Sequence, residues 1–377
     1  MRSTRALFTV GATVLGCLLT ASSLPVAAAS VGSLGGGGSL GSLDVGGSLG
    51  SDEMRFDLQA HRGGLGLNVE SSPQAFGHAL ELGVTTLELD TQVTADGEVV
   101  VTHDRKPRTD VCQDTEPVVA GDPMFPYTDH FIHDLTLEQV RTLDCGSLQR
   151  PGYPDQRTHP GQQMMLLSEL FDLVRAHGAD GPDGVRMNIE TKVEAGAPDE
   201  TAPREEFVSA VHEVIAASGL GQQVTIQSFD WGALMAMHEL APSIPLVALT
   251  NHDFLGIGAA EPSPWLGGID IADFDGDGVA AAASIDGVVA YSPVATHPDQ
   301  SCTIGAGSCT AYVTAEMVEN AHARGLKVIP WTVNNAPTME YLMDIGVNGI
   351  ITDHPDMLRE LLAERGMELP RQFAREG

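Results

Sequence analysis

The sequence predicts an α/β fold, a TIM (β/α)8 barrel with an inserted lobe after the second strand. Three observations lead there. Short apolar runs of strand length alternate with amphipathic stretches of helix length. Glycine often closes the helical stretches, as at Gly83, Gly178, Gly219, Gly325 and Gly346, where a left-handed cap suits it. Polar residues gather where the strands end, which in a parallel barrel is one face. The expected strands are Asp57–His61, Thr85–Thr91, Val185–Thr191, Val224–Ser228, Leu246–Thr250, Gly287–Tyr291, Lys327–Thr332 and Gly349–Thr352. The helices between them are expected over Pro73–Leu82, Leu135–Thr142, Leu167–His177, Arg204–Ser218, Trp231–Leu240, Thr314–Arg324 and Thr338–Ile345. Alternation alone leaves a doubly wound sheet as the alternative. No Gly-x-Gly-x-x-Gly fingerprint follows a strand, which counts against it.

The segments flanking the alternation have other compositions. Residues 1–29 read as an export signal: Arg2 and Arg5, an apolar run from Ala6 to Thr20, then Ala27-Ala28-Ala29 as a small-residue cleavage site. The run is too short to favour a spanning helix. Val14-Leu15-Gly16-Cys17 loosely resembles a lipoprotein box, so a lipid anchor at Cys17 is the alternative to simple secretion. Residues 30–51 repeat Gly-Ser-Leu and read as a flexible linker. The catalytic domain is expected over 52–365, with an insertion at about 104–165 rich in proline and aspartate, and a tail at 366–377. His252 to Ala283 is a second irregular stretch, within which Asp273-x-Asp275-x-Asp277-Gly278 matches the front half of a calcium loop. Ser284 stands at its twelfth position instead of glutamate, so an acidic turn is the preferred reading.

A net charge of −31 excludes a basic nucleic-acid footprint. In an exported chain that has lost Cys17 with its signal, four cysteines remain, an even number that suggests disulfides. Cys112–Cys145 and Cys302–Cys309 are the expected pairs, because each closes a local loop.

The chemistry concentrates at strand ends. Glu88 and Asp90 lie two apart on one strand and so share a face, as do Glu190 and Lys192 on the next. Three carboxylates converging there would repel one another without a cation, and oxygen-only ligands suit Ca2+ or Mg2+. Arg62 and Lys192 are placed to neutralise phosphate oxygens. Thr94-Ala95-Asp96-Gly97 reads as a hairpin turn that returns His103 beside those ligands, opposite His61, as a general acid and base pair.

The ordered set His61-Arg62-Gly63-Gly64, Glu70-Ser71-Ser72-Pro73, Glu88-Leu89-Asp90, Asp96-Gly97 and His103-Asp104 resembles the glycerophosphodiester phosphodiesterase family. The resemblance continues through Asn188-Ile189-Glu190-Thr191-Lys192, Gln227-Ser228-Phe229, Trp331-Thr332-Val333-Asn334 and Thr352-Asp353-His354-Pro355. It implies a barrel enzyme that releases glycerol 3-phosphate and an alcohol, a small-molecule substrate and a bound divalent cation, Ca2+ or alternatively Mg2+. It implies Glu88, Asp90 and Glu190 as metal ligands, His61 and His103 as acid and base, and Arg62 and Lys192 on the phosphate. Phe229 and Trp331 would wall the glycerol pocket, with Glu70 and Gln227 in support. Relatives more often carry Glu-Asn-Thr where Glu70-Ser71-Ser72 stands here. Asp353 has a second reading as the cap of the next helix. A phospholipase D-like enzyme acting on sphingomyelin or lysophospholipids is the alternative on the same barrel; membrane contact is expected only for that activity or for a lipidated chain.

Overall fold

The computed structural model describes residues 55–296, 304 and 310–375. Cys17, the export signal, the linker and the expected Cys302–Cys309 pair lie outside them. Nine strands are described: β1 (Asp57–Ala60), β2 (Thr86–Val93), β3 (Val99–Val101), β4 (Arg186–Thr191), β5 (Val224–Ser228), β6 (Leu246–Thr250), β7 (Val288–Pro293), β8 (Lys327–Val328) and β9 (Gly349–Thr352). The helices are α1 (Pro73–Leu82), α2 (Leu137–Val140), α3 (Leu167–Ala176), α4 (Arg204–Ser218), α5 (Trp231–Leu240), α6 (Gly278–Ala283), α7 (Ala315–Ala323), α8 (Ala336–Asp344) and α9 (Pro355–Glu364).

Eight strands pair in parallel in the order β8-β7-β6-β5-β4-β2-β1-β9, and β3 folds back antiparallel on β2. Three backbone bonds join the two ends of this path: Asn348 to Val328 at 2.9 Å, Ile351 to Pro330 at 3.0 Å and Val333 to Ile351 at 3.0 Å. The sheet thus curls into a nearly closed barrel, and the TIM expectation holds. The ladder of β8 ends at Val328 rather than Thr332, because Pro330 has no N–H to give.

Alternate residues of each strand face outward onto the helices. Leu58, Leu87, Leu89, Ile189, Ile226 and Leu246 pack there with Phe76, Phe171, Phe207 and Trp231 in the main core. The inward residues are unlike a usual barrel filling. Val247, Ala290, Ile329 and Ile351 form a small apolar cluster on one side. On the other, Asn188 donates to Gln59 at 3.0 Å and to Gln227 at 2.7 Å, and accepts from Thr225 at 2.9 Å. These amides are buried and satisfied, so they cost little and carry hydrogen bonds upward to the strand ends.

The inserted lobe has its own apolar cluster, with Tyr127, Ile132, Leu135, Val140 and Leu143 around the Cys112–Cys145 disulfide. Its helix α2 is shorter than expected, four residues with Thr136 and Gln139 forming a capping box. Two helices, α6 and α9, were given no range in the sequence reading. The run Gly278–Ala283 is a six-residue helix, α6, whose alanines give no amphipathic period. Asp277 caps it, accepting from the Val279 and Ala280 amides at 3.0 Å, and also pairs with Asn320 and Arg324. The acidic run there thus supplies a helix cap. The tail is not separate either: Phe373 is buried in the main core and its amide donates to Leu80 at 2.9 Å.

The disulfide closes a loop with a sequence separation of 33. Replacing Cys112 and Cys145 by alanine is expected to lower the unfolding free energy by about 3.7 kcal/mol, from the loop-entropy relation. Urea titration of both proteins checks this; a loss below about 1 kcal/mol would mean that the bridge adds little beyond the lobe's own packing.

Candidate active site

Register assembles the site. Asp90 pairs with Glu190 across β2 and β4, and Glu190 pairs with Gln227 across β4 and β5, so the three stand level on one face. Glu88 lies two residues below Asp90 on the same face. Oxygens of Glu88, Asp90 and Glu190 all approach within 4.8 Å of one another, and all three residues are buried. Among the described residues this is the one cluster of three acidic, histidine or cysteine ligands.

Glu88 is held from behind. Gln227 donates to Glu88 Oε1 at 2.6 Å, and the Arg62 backbone N–H donates to Glu88 Oε2 at 2.9 Å. That N–H points inward because Arg62 adopts φ 52°, ψ 33°, a left-handed conformation costly for an arginine. Gly63 follows with φ +83°, and a Cβ there would lie 2.9 Å from Ala75 Cβ, so only glycine lets α1 pack this close. Ser71 also has positive φ, at 55°. Asparagine tolerates that conformation better than serine does. Ser72 keeps the helix-capping role, accepting from Ala75 N at 3.1 Å.

Arg62 Nη1 donates to Glu70 Oε1 at 2.7 Å, and its Nε lies 3.3 Å from Asp90 Oδ2. Lys192 Nζ lies 3.1 Å from Glu190 Oε1 and 3.9 Å from Asp90 Oδ1. Asp90 Oδ2 is buried yet has no hydrogen-bond donor, and Arg62 Nε is likewise unpartnered. Burial, reinforced by Asp90, pushes the Glu88 carboxyl up to about 7, and burial pushes Glu190 up to about 8. Burial opposes ionisation of Asp90 too, but His103, Arg62 and Lys192 outweigh it and hold this pKa below the usual carboxylate range. A cluster of oxygen donors with an orphaned buried oxygen and two glutamates reluctant to ionise fits a hard divalent cation.

The two histidines reach the same cavity by different routes. β1 pairs with β9 as far as Ala60↔Thr352. One residue further, His61 Nδ1 meets Asp353 Oδ1 at 2.5 Å. The β2–β3 hairpin turns at Gly97, and Thr102 N donates to Asp90 O at 3.1 Å, which brings His103 back to the rim. Its Nε2 lies 3.1 Å from Lys192 Nζ. Burial and Arg62 pull the His61 pKa down, but Asp353 and Glu88 outweigh them and leave it raised. Burial, Lys192 and Arg62 together hold His103 well below the ordinary imidazole value.

The cavity is lined by His61, Arg62, the three acids, His103, Lys192, Gln227, Phe229 and Trp331. Every residue singled out from the sequence is there except Glu70, which touches it through Arg62. The Phe229 and Trp331 rings meet edge to face at 5.3 Å, and Lys192 Nζ lies 5.6 Å over Phe229. The aromatic wall extends outward through Phe254 and Trp265, stacked at 4.2 Å.

The helix-cap reading of Asp353 is corrected. His354 occupies the N-cap of α9, while buried Asp353 binds His61 and accepts from Tyr153 and Asn334. Sequence reasoning also missed Arg150, whose Nη1 donates to Glu70 Oε2. Both Tyr153 and Arg150 come from the lobe, where nothing in their local pattern marks them.

The glycerophosphoryl diester phosphodiesterase family model matches residues 61–357. The chain belongs to this family. A glycerophosphodiester phosphodiesterase of Bacillus subtilis is 27% identical over 307 residues, 80% of this chain and 85% of that protein. One from Caldanaerobacter subterraneus is 28% identical over 313 residues, 83% of this chain and all (100%) of that protein. Among solved structures, a Silicibacter pomeroyi protein assigned to these phosphodiesterases superposes with a TM-score of 0.65 at 26% identity, covering 84% of this chain and 95% of its own. The family member described here is thus a phosphodiesterase by descent as well as by the chemistry of its rim.

A buried carboxyl with a raised pKa keeps its proton where the unfolded chain has lost it. Glu88 and Glu190 therefore withdraw stability as pH climbs from the ordinary value near 4.5 through about 7 to 8. A divalent cation needs both ionised and competes with those protons. The gain in melting temperature on adding Ca2+ to chelated protein is expected to grow from about pH 5.5 to about pH 8.5. A gain that stayed level or shrank across that range would remove these carboxylates from the cation site.

Proposed function

We propose that this phosphodiesterase hydrolyses glycerophosphodiesters to sn-glycerol 3-phosphate and an alcohol, with Glu88, Asp90 and Glu190 holding Ca2+ or, alternatively, Mg2+. The reading rests on one observation above all: three buried acids, two cationic side chains and two histidines line a single cavity at the strand ends. A bound divalent cation would draw in phosphate oxygens and stabilise the charge that develops on them. Arg62 and Lys192 flank the acids and add fixed positive charge for the phosphate. Phe229 and Trp331 present ring faces and edges to the carbon skeleton of glycerol and exclude water.

The histidines supply proton transfer. His61 commits Nδ1 to Asp353, which fixes its tautomer and leaves Nε2 for the cavity. The raised His61 pKa favours it as the proton donor and the lowered His103 pKa favours it as the acceptor. The disulfide in the lobe, with the expectation that residues 1–29 are an export signal, supports action outside the cytoplasm. Among the described residues no helix is long and apolar enough to cross a membrane.

His61→Ala and His103→Ala are each expected to lower turnover of glycerophosphocholine by at least about a hundredfold with the fold retained. Release of sn-glycerol 3-phosphate with and without chelator measures both the histidine and the metal requirement. Near-native turnover in either variant would refute the pair. Lysophosphatidylcholine assayed alongside separates this activity from the phospholipase D-like alternative.

A further inference from the structure

The lobe does more than border the cavity. Its segment from Gln149 to Arg157 crosses to the loop that follows β1 and is sewn down at several points. Gln156 is buried and donates to Leu65 O at 2.7 Å. The Arg157 amide donates to Leu67 O at 3.0 Å, and the Val69 amide donates back to Arg157 O at 3.0 Å. Gln149 donates to three carbonyls of the same segment, those of Tyr153, Pro154 and Gln156, and so fixes its curvature. A turn held this firmly delivers its side chains to defined places.

Two of them reach the catalytic apparatus. Arg150 binds the oxygen of Glu70 that Arg62 does not use. Tyr153 donates its hydroxyl to Asp353 Oδ2 at 2.7 Å, opposite the oxygen that holds His61. Asn334 donates to the same Oδ2 at 2.5 Å. The Asp353 carboxylate thus has its His61 oxygen and its rear oxygen both bound, and it is only 2% exposed. A carboxylate bound on one oxygen alone could rotate about its χ2 axis or take up water; bound on both, it has one orientation.

We propose that Tyr153 is a positioning residue of the reaction: through Asp353 it fixes the ring of His61, so the lobe completes the active site. The proposal rests on the catalytic reading of His61 given above. Tyr153 itself is not among the residues that line the cavity.

The test is steady-state hydrolysis of glycerophosphocholine by the full chain at saturating Ca2+, reading sn-glycerol 3-phosphate. Tyr153→Phe deletes one oxygen and keeps the ring. It is expected to lower kcat roughly tenfold, the scale seen when outer partners of catalytic groups are removed, with KM moving less than about twofold and the thermal melt unchanged. Asp353→Asn should lower kcat further, and adding Tyr153→Phe to it should change kcat by less than about twofold, since both act through one carboxylate. Full multiplication of the two losses, a kcat within about twofold of wild type for Tyr153→Phe, or a loss carried by KM would overturn the proposal. Near-native turnover by His61→Ala is a separate result: it removes the catalytic reading itself.

Discussion

Everything at the rim depends on how the charge of three buried carboxylates is balanced. Unit charges within 4.8 Å repel by about 3.5 kcal/mol per pair at an effective dielectric of about 20. Three ionised pairs would approach about 10 kcal/mol, the scale of a whole domain's stability. Arg62 and Lys192 offset part of this, and burial, with the repulsion that remains, raises the Glu88 and Glu190 pKa values. The left-handed backbone at Arg62, the glycine after it and the amide ladder inside the barrel are the means by which the fold holds the acids in place.

The same constraint explains why the barrel interior is polar on one side. Gln227 must be buried to support Glu88, and its own amide oxygen then needs a donor, which Asn188 supplies. Asn188 in turn needs an acceptor and a donor, which Gln59 and Thr225 provide. An apolar filling would be easier to bury, but it could not hold a carboxylate from below.

Much of this was legible in the sequence. All seven expected helices and eight expected strands appear, and all but α2 and β8 lie close to their anticipated limits, because apolar period and glycine punctuation are local signals. The rim residues were legible too, since strands set side-chain direction: residues two apart share a face wherever the strand lies. What escaped has a common cause. Asp353 looked like a helix cap because its partner His61 stands 292 residues away, and Tyr153 lies 200 residues from Asp353. Such pairings follow from the β1–β9 register and from the path of the lobe, neither of which leaves a periodic trace. Helix α6 escaped for a simpler reason: six residues, mostly alanine, fit any template.

The chain enters the barrel at Arg55, ahead of β1, and its end is pinned by Phe373 against Leu80 near the close of α1. Both lie at the floor, whereas the acids and imidazoles occupy the opposite mouth. The first and last described segments thus brace the floor together, Arg55 pairing with Glu368, and leave the mouth to the loops that carry the chemistry.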